Sequence, residues 1–273
     1  MCPYLYDPGV ILLRAAMYVI ILTVLLVLGF LFQNTAFGDL SVGAFLALVL
    51  PAGLAIRASR VNMRLCWYSL RYRKRVIRIS AAYLFCIKID GKYLLVRGSR
   101  FPHYQPVGGV FKLSTQGQSF LSSIGALDDD LVDIDAQSKS DLRVRLLGRH
   151  LSKFYTWFDG RHGREDSPWR EFYEELVVTS ILPGEIFPYI FHDYRGRVVD
   201  RIRFSPQANS LEVLIADIYE LLPNGEQEQA LRRSFSSNRE DFGWFTRNAI
   251  ERRGALPGAT SATPIAEHAQ KIL

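Results

Sequence analysis

The sequence is poor in the residues that several common chemistries need. Its three cysteines, Cys2, Cys66 and Cys86, stand apart, with neither the paired spacing of a zinc site nor a disulfide framework. Five histidines (His103, His150, His162, His192 and His268) are dispersed, and no two stand at ligand spacing. There is no Gly-x-Ser-x-Gly elbow and no phosphate-binding P-loop, which removes two widespread designs for acyl and phosphoryl transfer. Positive charge is lacking where a duplex binder needs it. The net charge is +6, yet from residue 79 onward 24 basic residues face 25 acidic ones, a net of −1. The later part of the chain has no broad cationic footprint, so no nucleic-acid partner is expected.

Charge is also missing from two N-terminal runs. Residues 15–32 hold eighteen uncharged positions and residues 40–56 seventeen more. Each is near the minimum for crossing a hydrocarbon core of about 30 Å. The link between them is short and carries no Lys or Arg. Arg14 precedes the first run, and eight cations follow the second between residues 57 and 78. The positive-inside rule then places both ends of a transmembrane hairpin in the cytoplasm. The basic residues would meet anionic lipid headgroups, making the bilayer a partner. The expected organisation is a hairpin over residues 1–56, a basic juxtamembrane linker over 57–80, and a mixed sheet domain with flanking helices over 81–273. The whole reads as an α+β chain.

Within that domain two β-rich runs flank Asp90-Gly91, a hairpin turn signal. A loop with Arg97, Arg100, His103 and Tyr104 leads to Gly108-Gly109. Residues 113–160 form a Ser-rich, acidic insertion. Ser167 and Pro168 then open a helix. Trp169, Phe172, Tyr173, Leu176 and Ser180 recur on it at helical spacing, so its aromatic members should face a core. Glu171, Glu174 and Glu175 fall on the opposite face, where they would be either a solvated acidic surface or oxygen ligands for a hard cation. A strand is expected before a Tyr-Arg-Gly turn at 194–196, with further strands over 198–204 and 211–222. Short helices are expected over 227–234 and 266–273, and a strand ending in Trp244-Phe245-Thr246.

Arg170, Glu171, Phe172, Glu174 and Glu175 resemble the second half of the Nudix box. His162 stands where the family has its first glutamate, and Val177 where it has glycine. The family's Gly-Gly turn matches Gly108-Gly109, but Arg170 comes 61 positions after Gly109, so the insertion splits the box. The order of hairpin, Gly-Gly turn, glutamate helix, strands and Trp-Phe-Thr is the family's order. Fused to a membrane hairpin, the domain resembles the CBASS effectors of bacterial antiphage defence, which carry two N-terminal transmembrane helices and a SMODS-associated Nudix-like domain.

That resemblance implies a bacterial inner-membrane effector that binds a cyclic di- or oligonucleotide made by a partner CD-NTase. Binding would assemble the chain into a homo-oligomer that disrupts the membrane. It implies ligand contacts from Arg97, Arg100, His103, Tyr104 and Arg161, with Gly108, Gly109, Arg170, Glu171, Glu174 and Glu175 as a residual motif. No catalytic residue, metal or cofactor is then expected. The alternative is an active hydrolase of a nucleoside diphosphate derivative, holding magnesium through Glu171, Glu174 and Glu175. Asp159, Glu165 or Asp166 would restore its missing carboxylate.

Overall fold

The computed structural model describes residues 8–33, 35–36, 39–45, 47, 60–98, 102–129, 140–206, 208–255 and 263–273. The chain divides into two compact units. The first comprises Met1–Val76, Ser123–Ala126 and Leu146–Gly160, and the second Ile77–Ser122, Leu127–Arg145 and Arg161–Leu273.

The first unit is helical. Helix α1 runs Pro8–Leu31 and α2 runs Arg60–Arg71. Among the described residues no helix is long and apolar enough to cross a membrane. Helix α1 takes in Arg14, which the reading placed ahead of the first span. With no spanning helix among the described residues, the expected inner-membrane location with both termini cytoplasmic is overturned. The second expected span, 40–56, lies largely outside the described residues. Helix α4, Leu151–Asp159, packs on α2, with Leu65 and Tyr68 of α2 buried and Leu151, Phe154 and Phe158 buried on α4.

The second unit is built on two sheets. Strand β1, Val76–Cys86, lies at the centre of the larger one, and its burial is nearly continuous, as expected of a central strand. It runs parallel to β10, Ser210–Leu222, from Ile77↔Leu211 to Cys86↔Glu220. The order across this seven-stranded sheet is β6, β7, β1, β10, β8, with β5 (Gly108–Val110) on β1 and β9 (Arg203–Ser205) on β10. Strands β6, β7 and β8 are Leu127–Asp128, Arg143–Leu147 and Phe191–Val199. The smaller sheet orders β11 (Phe242–Thr246), β3 (Lys92–Arg97) and β2 (Lys88–Ile89), with β4 (Tyr104–Gln105) on β3.

The Asp90-Gly91 turn forms as read, with φ of 49° and 76°, and joins β2 to β3. The long run before it does not pair with β3. It belongs to the other sheet, because β1 breaks from β2 at Ile87. The Tyr-Arg-Gly stretch is not a turn either. Strand β8 passes straight through it by a bulge, where the register against β10 shifts and Gly196 takes φ +135°. The insertion is structured, carrying α3 (Thr115–Ser123), β6, β7 and α4. Arg78, the last of the eight cations expected at the membrane, is buried and ion-paired with Asp129 and Glu212.

Later elements follow the reading closely. Helix α6, Gly225–Arg233, opens on a capping box between Asn224 and Gln227. Strand β11 runs into α7, Arg247–Glu251, whose first turn is capped by the Thr246 hydroxyl. The chain ends in a 3-10 turn, Glu267–Ile272. Ala269 and Ile272 there complete a buried cluster with Leu84, Leu95, Ala216 and Ile218 from both sheets.

Candidate functional site

The site grows from two glycines on β5. A Cβ at Gly108, whose φ is +151°, would overlap the Tyr83 carbonyl oxygen, so the strand lies flush against β1. A Cβ at Gly109 would overlap the Glu171 carboxylate, so only glycine leaves room for that side chain. The partner element is α5, Trp169–Phe172, which continues as a π turn over Tyr173–Val177. The helix opens one residue later than expected, with Pro168 rather than Ser167 at the cap position, and the Ser167 hydroxyl accepts the Trp169 N–H at 3.3 Å. Phe172 and Leu176 are fully buried, and Phe172 packs edge-on against Phe85 at 5.5 Å. Tyr173, expected on the same face, is 45% exposed, and Ser180 lies beyond the helix with φ +58°. The wider turn, closed by the Val178 N–H donating to the Tyr173 carbonyl at 2.9 Å, breaks the 3.6-residue phase.

The four glutamates around this helix are held in place. Arg170 donates through Nε and Nη2 to the two oxygens of Glu165 at 3.1 and 3.2 Å. Its Nη1 donates to Glu171 Oε1 at 2.6 Å and Glu174 Oε2 at 3.2 Å, and Nη2 also reaches the Val110 carbonyl at 3.2 Å. Glu165 further accepts the Lys112 N–H at 3.2 Å. Of the three candidates to restore a carboxylate, Glu165 is therefore the one brought to the arginine. Glu175 accepts the Gly108 N–H at 3.0 Å. Burial pushes the Glu175 carboxyl up to about 8, against the lowering effect of that hydrogen bond, and the neighbouring Glu171 and Glu174 charges add to the rise. Burial raises Glu171 too, partly offset by Arg170.

A resident magnesium ion would need these oxygens to converge on one point. Two carboxylates aim at one guanidinium nitrogen, and Glu175 aims at a backbone amide. Among the described residues no group of three acidic, histidine or cysteine side chains converges to hold a metal. As placed, the donor set does not fit the cation.

A cavity of about 680 Å³ opens beside these residues, within the range of small-molecule sites. One wall is Gly108, Gly109, Glu171, Glu174 and Glu175. The others bring in Lys112, Asp141, Arg143, Arg97, His268 and Lys271. Lys112 Nζ meets Asp141 at 2.6 Å, Arg143 meets the same carboxylate at 3.3 Å, and Lys271 meets Asp200 at 2.7 Å. Burial, then the Lys271 charge, holds His268 down at about 4, so it is neutral near pH 7.

Of the five ligand contacts read from the sequence, Arg97 lines this cavity and pairs with exposed Glu240 at 3.3 Å. Tyr104 packs its ring on Phe245 at 5.0 Å and donates its hydroxyl to the Glu240 carbonyl, away from the cavity lining. His103 is exposed in the loop. Arg161 lies elsewhere, its guanidinium 5.4 Å over the Tyr194 ring. Arg100 is outside the described residues. The residual motif, by contrast, is assembled in one place. Lys112, Asp141, Arg143, His268 and Lys271 were missed. Their only sequence signal was position beside recognised elements, just after Gly108-Gly109, in the Asp141 strand, and in the last helix.

Residues 76–273 match the SMODS-associated NUDIX domain. The chain belongs to that family. No curated protein matches it. The family assignment supports a Nudix-like domain in a CBASS-associated context, and it extends over both sheets, the glutamate helix and the closing C-terminal turn. The curled mixed sheets of this SMODS-associated NUDIX domain fit the Nudix-like α+β architecture; a transmembrane hairpin is not part of what is described.

Proposed function

We propose that this SMODS-associated NUDIX domain is the sensing part of a defence effector and that it binds a cyclic di- or oligonucleotide in the cavity beside Gly108-Gly109 without cleaving it. The observation that carries this reading is the position of Arg170. Its guanidinium sits among Glu165, Glu171 and Glu174, where a hydrolytic site would need those oxygens turned toward a cation. The cavity that remains is large and polar on several sides, which suits a ligand rich in hydrogen-bonding groups.

Hydrolysis of a nucleoside diphosphate derivative is the second reading, and one observation favours it. Glu165 stands beside Arg170 and supplies a carboxylate that the linear motif lacks. One experiment separates the two. The full chain is titrated calorimetrically with cyclic di- and trinucleotides and with linear nucleoside diphosphates, magnesium present, and each ligand is recovered for analysis. Tight binding of a cyclic nucleotide returned intact supports the sensor. Cleavage that disappears in Glu174→Gln supports the hydrolase. Neither binding nor cleavage sinks both.

A further inference from the structure

The charged groups that line the cavity are already engaged. Arg97 rests on Glu240, Arg170 on Glu171 and Glu174, Lys271 on Asp200, and Asp241 on Arg239. Lys112 and Arg143 meet Asp141, and Glu175 accepts the Gly108 N–H. His268 differs. Among the described residues its imidazole has neither a hydrogen bond nor an ion pair. Neither ring nitrogen is both buried and unpartnered, so both remain accessible. Burial and the Lys271 charge keep the ring neutral near pH 7, against the opposing pull of Asp200 and Glu267. A neutral imidazole offers one donor and one acceptor.

The cavity floor is apolar and shallow. Ala82 of β1 and Ala216 of β10 are direct partners across the parallel pair, and both line the cavity, with Leu84 and Leu214 beside them. Two neighbouring methyl side chains leave room for a flat ring to lie on the sheet. Strand β5 flanks β1 on one side and meets the glutamate helix, while the turn that carries His268 packs against β10. The glutamates and His268 thus stand at opposite sides of a floor two strand spacings wide, about 10 Å. A phosphate offers only acceptors, which would satisfy the imidazole N–H and repel its lone pair. The edge of a nitrogen heterocycle offers donors and acceptors together. We infer that His268 reads the hydrogen-bonding edge of a planar nitrogen heterocycle, a nucleobase, lying on the Ala82–Ala216 floor. This rests on the nucleotide-binding reading above and makes His268 the residue that selects the base.

The test titrates the full chain with three kinds of probe. Cyclic di-AMP and cyclic di-GMP carry base and phosphate, the four ribonucleosides carry a base alone, and ribose 5-phosphate carries phosphate alone. His268→Leu should weaken binding of the preferred base about five- to tenfold, the effect of one or two lost hydrogen bonds. His268→Gln keeps a donor and an acceptor and should recover most of that loss. Ribose 5-phosphate should bind the wild type and both variants alike, whereas a folding defect would lower every probe together. Equal binding of the bases by the wild type and His268→Leu overturns the inference, and a cyclic nucleotide that binds both leaves the sensor standing. A loss of ribose 5-phosphate as large as the loss of base overturns it too, since the effect then lies elsewhere on the ligand. If no cyclic nucleotide binds the wild type, the sensor reading itself falls. The nucleosides then decide this inference by the same comparison, and their failure to bind overturns it.

Discussion

At the scale of single residues, the two glycines of β5 serve different ends, and substitution should separate them. An added methyl at Gly108 meets the backbone oxygen of Tyr83 in a conformation that side chains rarely adopt, so β5 or β1 must shift. At Gly109 its nearest neighbours are side-chain atoms of Glu171, from Cγ to Oε1, which can swing away. Gly108→Ala should cost about 2–3 kcal/mol in urea unfolding, combining overpacking with a strained φ, and Gly109→Ala about 1 kcal/mol or less. The same Gly109→Ala should still impair ligand binding, because it dislodges Glu171. Equal unfolding costs would contradict the geometry. Glu175 gives a pH signature. Its folded pKa of about 8 lies above the usual 4.5. A raised acid favours the folded state while protonated, so its stabilisation is full below pH 4.5 and is lost as pH rises toward 8. The melting temperature should therefore fall between pH 5 and 8, and Glu175→Gln should flatten the fall. Some slope should remain, since Glu171 shifts in the same direction.

At the scale of elements, the glutamate helix was legible by composition and only half legible by phase. Phe172 and Leu176 take their expected places and the helix starts within one residue of the expected cap, because capping and burial are local or periodic effects. Glu171, Glu174 and Glu175 do gather on one side, whereas Tyr173 departs from the wheel where the turn widens after Phe172, and no propensity rule marks a π turn in advance. Strand β8 teaches the same lesson. Tyr194-Arg195-Gly196 has the composition of a turn, yet pairing with β10 absorbs it as a bulge. What binds the helix to the sheet is Arg170. Arg170→Met should destabilise the fold by about 3 kcal/mol, since it leaves two partly buried carboxylates, Glu165 and Glu171, and the exposed Glu174 without their shared cation. The loss should shrink on acidification, as those groups protonate in the variant's folded state. A Tm deficit that stays constant from pH 8 to pH 5 would mean that Arg170 acts through packing alone.

At the scale of the whole molecule, local signals found most strands and missed how they join. Asp90-Gly91 forms its hairpin because two residues suffice to specify it, whereas the parallel β1–β10 pairing links residues some 130 positions apart and leaves no mark in either segment. The candidate site shares this division. Its motif residues are close in sequence or follow a known order. Lys112, Arg143 and Lys271 reach the cavity only through the sheet order and the last turn of the chain. That last turn is the strongest test of the architecture. Ile272 is 5% exposed and belongs to the cluster that joins Leu84 and Ala216 of the large sheet to Leu95 of the small one. Ile272→Ala removes methyl groups from a packed interior and should cost about 2–4 kcal/mol. Because His268 and Lys271 line the cavity from the same turn, the variant should also lose ligand affinity at temperatures where it remains folded. Urea unfolding and calorimetric titration of this one variant measure both effects. A stability loss without any change in affinity would mean that the C-terminal turn seals the core and takes no part in shaping the site.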